Sequence, residues 1–187
     1  MNLTTWALAA VLLLASAAGA AAPFPVVGKA APDFTLTSES GAQVRLSQFR
    51  GKIVLLDFIY THCTDVCPLI TANLARVQRG LAARGWWRKD FVFVSVTTDP
   101  ARDTPAVLKV YASRYGADLR AWYFLTGAAQ TLAAVYKAYG IVVQPAGMGL
   151  QAHAAPTFVI SRAGVVLGAY GFDFKPQDVL NDLARLR

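Results

Sequence analysis

The chain has 187 residues, a formal net charge of +7, 16% charged and 11% aromatic side chains, and only two cysteines. That length allows one ordinary domain with a core of its own and needs no staple, and the composition excludes an intrinsically disordered, collagen-like or disulfide-scaffold protein. The basic residues are scattered singly and in pairs, with no interleaved aromatic stripe, so nucleic acid is the poorer reading, and the positive excess suits anionic lipid, an acidic protein or simply a solvated basic surface.

No charged side chain precedes Lys29, and "TWALAAVLLLASAAGAAAP" is apolar before decaying into small residues. Residues 1–22 are therefore expected to be a signal peptide or an N-terminal membrane anchor, since the run is close to the minimum of about 17 residues for a span. Either role exports the domain of residues 23–187 to an oxidising compartment, where a thiol pair takes on meaning.

"PFPVVGKAAPDF" reads as an extended entry, and "GAQVRLSQFRGK" as a short strand and turn. "KIVLLDFIY" is a continuous β-branched and apolar run, as expected for a strand buried on both faces. It ends at "THCTDVCP", which holds Cys63 and Cys67, and from Pro68 onward apolar residues recur at helical spacing. "FVFVSVTTD" is a second buried strand. "TPAVLKVYASRYG" is a helix with Thr104 as N-cap, Pro105 at the first position and Gly116 as its stop. "WYFLTG" and "AAQTLAAVYKAYG" repeat the strand-helix unit, "PTFVISRAGVVLGAYG" reads as a hairpin, and "KPQDVLNDLARLR" as a closing amphipathic helix. This order predicts an α/β fold of the thioredoxin type, a mixed central sheet flanked by helices.

Cys63 and Cys67 stand where a strand gives way to a helix N-terminus, whose N–H groups and dipole favour thiolates. Three residues separate them, and this spacing leaves a stapling disulfide, a redox pair and a metal pair all open. For a metal pair, a third ligand is to be sought in His62 or His153, the only histidines, either of which also reads as an unspecific loop residue. His62 adjoins Cys63 at a strand end, where neighbouring side chains point apart, and reads as a loop residue. His153 precedes a core strand, in a loop that a thioredoxin fold brings beside the cysteines. Two sulfurs and an imidazole suit copper, Cu(I) or Cu(II), whereas zinc asks for a fourth ligand. Met148 reads as a flexible loop residue, with a thioether on offer during transfer.

"LLDFIYTHCTDVCPLITANLARVQ", "SVTTDPARDTPAVLKVYASRYG", "WYFLTG" and "AHAAPTFVISRAG" together resemble the Sco/SenC family of exported or membrane-tethered copper proteins. The resemblance implies a thioredoxin-like fold with an N-terminal hairpin and inserted elements. It also implies one copper ion held by Cys63, Cys67 and His153, with Asp99 beside the site and Arg102, Asp103 and Thr104 fixing its loop. The partner it implies is the copper subunit of cytochrome c oxidase, whose dicopper CuA centre it helps assemble, or another periplasmic copper protein. Two departures stand out: Thr64 replaces a proline frequent in bacterial members, and Pro156 with Thr157 resembles the cis-proline element of thioredoxin-type oxidoreductases. The second supports an alternative, a thiol-disulfide reductase with Cys63 as nucleophile and Cys67 resolving.

Overall fold

The computed structural model describes residues 27–187. The expected signal or anchor at residues 1–22 lies outside the described residues. Nine strands and four α-helices follow in chain order: β1 (Thr35–Ser38), β2 (Gln43–Arg45), β3 (Ile53–Ile59), α1 (Val66–Ala83), β4 (Phe91–Thr97), α2 (Pro105–Arg114), β5 (Trp122–Thr126), α3 (Ala129–Tyr139), β6 (Gln144–Pro145), β7 (Gln151–Ala152), β8 (Thr157–Ile160), β9 (Val166–Tyr170) and α4 (Pro176–Arg185). Seven strands form one sheet in the order β2-β1-β5-β4-β3-β8-β9, and β6 pairs only with β7.

The three central strands β3, β4 and β5 are parallel, and the apolar runs over β3 and β4 are buried at every position. β1 runs antiparallel to β5, and β8 antiparallel to β3. The sheet is thus mixed and carries an N-terminal hairpin at one edge, as the thioredoxin-like reading requires.

Chain direction places the helices. The crossovers through α1 and α2 step the same way along the sheet, so right-handedness puts both on one face. There the Thr71 hydroxyl of α1 meets the Tyr111 hydroxyl of α2 at 2.9 Å. After β5 the chain reverses and returns to the far side of β3, which sends α3 to the opposite face, where Tyr139 packs on Phe58 and Phe158. The reversal leaves β3 between β4 and β8 as the topological switch point, and the crevice at such a point is where open α/β sheets bind ligands. Because β8 runs antiparallel, its N-terminal end and the residues before it come to the C-terminal end of β3.

The helix starts follow local chemistry. Thr104 caps α2, accepting the Val107 N–H at 3.3 Å, with Pro105 directly after it. α1 begins at Val66, two residues before Pro68, and so takes Cys67 into its first turn.

Candidate metal centre

Cys63 lies in the loop after β3 and Cys67 one helical turn later, and their thiols are not joined. The Asp65 side chain makes no capping bond to α1; instead the Cys67 N–H donates to the Cys63 sulfur at 3.4 Å. The sulfur therefore occupies the position of a helix cap, where unpaired N–H groups favour an anion.

The two thiols are unequal. Burial works against ionising Cys63, but the Asp65 N–H, the Cys67 thiol and N–H and the Tyr60 hydroxyl outweigh it and hold its pKa below the usual thiol range. Cys67 is fully buried, and burial first, then its bond to Cys63, pushes its pKa up. Beneath it Asp57 is buried in β3 and pushed up to about 7 by that burial, against the pull of the Ser95 hydroxyl. Ser95 donates to one Asp57 oxygen at 2.6 Å and accepts the Trp122 indole N–H at 3.0 Å. The other Asp57 oxygen has no partner among the described residues.

His153 follows β7 and shares a cavity of about 320 Å³ with Tyr60, Cys63, Asp65, Leu150 and Gln151. Its Nδ1 lies 2.9 Å from the Ala154 carbonyl, and an oxygen with no hydrogen of its own makes Nδ1 the protonated nitrogen. Nε2 then carries the lone pair, and it is buried without a hydrogen-bond partner among the described residues. Burial keeps the ring below the ordinary imidazole range, opposed by the Ala154 carbonyl, so it is neutral at pH 7. A neutral imidazole with Nδ1 bonded to a carbonyl and Nε2 bare is the form that binds a metal. No group of three His, Cys, Asp or Glu side chains among the described residues is already closed around one point. The cavity brings Cys63 and His153 to its walls, and Cys67 is linked to it through Cys63.

Asp99, Arg102, Asp103, His62 and Met148, also singled out from sequence, do not line this cavity. Asp99 is buried and ion-paired with Arg102, whose guanidinium also donates to the Gly149 carbonyl, so Asp99 reaches the histidine segment through Arg102. Asp103 accepts the Thr61 N–H at 3.2 Å and the Thr61 and Thr97 hydroxyls, which binds the ends of β3 and β4 together. His62 lines a different hollow with Val107, Val110 and Arg114. Met148 is 97% exposed at the tip of the β6–β7 hairpin, outside the cavity wall.

Pro156 corrects an expectation. There is no cis peptide bond among the described residues, and Pro156 lines an apolar groove with Phe158, Gly168 and Phe172 instead of facing the cysteines. The trans form is intrinsically favoured by about 0.5–1 kcal/mol. The feature that supported thiol exchange is thereby withdrawn.

Two residues at the site escaped the sequence reading. Tyr60 was absorbed into the apolar run of β3, and Gln151 sits in a stretch with no periodicity. The Tyr60 hydroxyl donates to the Gln151 carbonyl at 3.1 Å and accepts the Gln151 N–H at 3.2 Å. A hydroxyl directly after a buried strand is the available signal for Tyr60.

Comparison with known proteins places the chain in a family. Residues 26–187 match the family profile described as SCO1/SenC. The SCO1 protein homolog of Bacillus subtilis (strain 168) is 32% identical over 155 residues, 80% of this chain and 79% of the relative. Bradyrhizobium japonicum ScoI with copper bound superposes with a TM-score of 0.74 at 27% identity, covering 85% of this chain and 100% of that one. BsSco, a member of the Sco family of cytochrome c oxidase assembly proteins in which a disulfide switch was identified, gives 0.73 at 26% identity, over 87% and 95% of the two chains.

Proposed function

The chain belongs to the SCO1/SenC family, and from that premise we propose that it is an exported copper metallochaperone in which Cys63, Cys67 and His153 take up one copper ion as cargo and pass it to a partner. The observation that carries this reading is the bare, buried Nε2 of His153, a residue that lines the same cavity as Cys63. Burying an imidazole nitrogen unpaired costs about 1–3 kcal/mol, and a metal ion repays that cost. Two soft sulfurs hold Cu(I), and the imidazole helps to retain Cu(II). The cavity is open enough for a partner's ligands to enter, so copper can move through shared-ligand intermediates without being released to water. The acceptor is the copper subunit of cytochrome c oxidase, at its dicopper centre, or another exported copper protein. Asp99 belongs to the surround of the site, acting through Arg102.

Copper content of the reduced protein tests this. Wild type is expected to retain one equivalent, and His153→Ala and Cys63→Ser to retain it weakly or lose it; unchanged stoichiometry and spectrum in both variants overturn the reading.

A second reading is supported by the inequality of the thiols. Cys63 is the more exposed and more acidic, and Cys67 is buried with its proton held, as in a nucleophile and its resolving partner. Such a pair would reduce an acceptor's disulfide, becoming oxidised itself, so that the acceptor's thiols can be metallated. Turnover of an oxidised acceptor protein by the reduced chain tests it, and absence of turnover removes it.

A further inference from the structure

The segment that carries His153 has little core of its own. β6 and β7 are two residues each, and neither Gln144 nor Pro145 is buried. The tip between them, Gly147-Met148-Gly149, lies in left-handed backbone at all three positions, with φ of 79°, 48° and 74°. Elements this short and exposed open at low cost unless something outside them holds them. What holds this one is polar: the Arg102 guanidinium donates to the Gly149 carbonyl, and the other bonds converge on Gln151. The backbone N–H and carbonyl of Gln151 both bond the Tyr60 hydroxyl. The Gln151 side chain accepts the Thr98 hydroxyl at 2.8 Å and donates to the Thr98 carbonyl at 3.3 Å.

We propose that Tyr60 and Gln151 form a latch that positions His153 for the copper taken up by the cysteines. The inference rests on the copper reading above. Tyr60 lies three residues before Cys63, and Gln151 two residues before His153. One phenol oxygen thus joins the sulfur-bearing segment to the imidazole-bearing one: it accepts the Gln151 N–H, and its single hydrogen faces both the Gln151 carbonyl and the Cys63 sulfur. With the backbone pinned there, the imidazole is kept on the cavity that Cys63 also lines. Without the pin, it sits on a loop that has to be ordered on each encounter, which lowers its effective concentration at the metal. Tyr60 and Gln151 touch no copper in this account; they are positioning residues.

The test is a double-mutant cycle on the full domain, Tyr60→Phe with His153→Ala, read as the rate at which a chelator strips Cu(II). Phenylalanine keeps the ring against the imidazole and removes only the hydroxyl. Tyr60→Phe is expected to speed copper loss about tenfold, the equivalent of about 1.4 kcal/mol, and to add far less in the His153→Ala background, where only its contact with the Cys63 sulfur is left to lose. An unaffected rate in Tyr60→Phe, or the same acceleration in both backgrounds, overturns the latch. If His153→Ala alone loses copper no faster than wild type, the ligand assignment itself falls and the latch with it. A metal-free readout stands beside these: amide exchange at residues 149–152 is expected to quicken about tenfold in Tyr60→Phe, and unchanged exchange contradicts the latch whatever copper does.

Discussion

The imidazole of His153 stands edge-on to the ring of Tyr60, with centroids 5.9 Å apart and planes at 62°. Tyr60 closes the strand that leads to Cys63, so this contact is where two segments some ninety residues apart in sequence meet. Fold topology explains the meeting: β8 runs antiparallel to β3, and the residue before its entry loop must therefore lie at the end of β3 where the cysteines begin.

The thiols are expected to differ in reactivity. With iodoacetamide at neutral pH the native reduced chain is expected to be alkylated at Cys63 at least about tenfold faster than at Cys67, because Cys63 is the less deeply buried of the two and only its pKa is lowered. Mass mapping of the first modified site checks this, and Cys67 modified first contradicts it.

Asp57 gives a pH signature with a definite sign. Its folded pKa of about 7 lies above the ordinary 3.8, so the unfolded chain gives up this proton first as pH rises. The contribution to stability is full below about pH 4, is lost as pH climbs towards 7, and is flat above that. Between pH 5 and pH 8 wild type is expected to lose about 2–3 kcal/mol more than Asp57→Asn. Urea unfolding of both proteins at the two pH values measures the difference; parallel pH dependences contradict it.

Gly80 lies in α1 where α4 crosses it, and a Cβ there would stand 2.5 Å from a Leu180 methyl. Gly80→Val is expected to cost about 1–3 kcal/mol by overpacking. Copper stoichiometry should be unchanged, since the substitution lies beyond the site. Thermal unfolding with metal analysis checks both halves, and a stabilised variant contradicts the packing.

Gly149 couples backbone to site differently. Its φ of +74° is strained for any L side chain, and a Cβ would approach the Arg102 guanidinium to 2.9 Å. Gly149→Ala is expected to destabilise the hairpin by about 1–2 kcal/mol, read as faster amide exchange around residues 147–152, with global stability little altered. Unchanged exchange contradicts it.

Much of this molecule was legible before any coordinates. Continuous apolar runs marked β3 and β4 because both faces of those strands are covered, and Thr104-Pro105 marked a helix start because capping is local. Cys63 and Cys67 were visible as chemistry through residue type and spacing alone. The β6–β7 hairpin was not, since its strands are too short and exposed to leave a pattern. The start of α1 was placed two residues late because the Cys63 sulfur, not a side-chain oxygen, serves its cap. Pro156 misled because a proline before a strand carries no mark of its isomer or of the groove it faces. Tyr60 and Gln151 were hidden because their bond is a tertiary one, between residues whose separate sequence contexts say nothing about each other.

Nitrogen hyperfine coupling in the Cu(II)-loaded protein bears most directly on whether His153 completes the site. One imidazole nitrogen is predicted in wild type and in His62→Ala, and none in His153→Ala. Coupling that survives in His153→Ala, or that disappears in His62→Ala, would contradict the account.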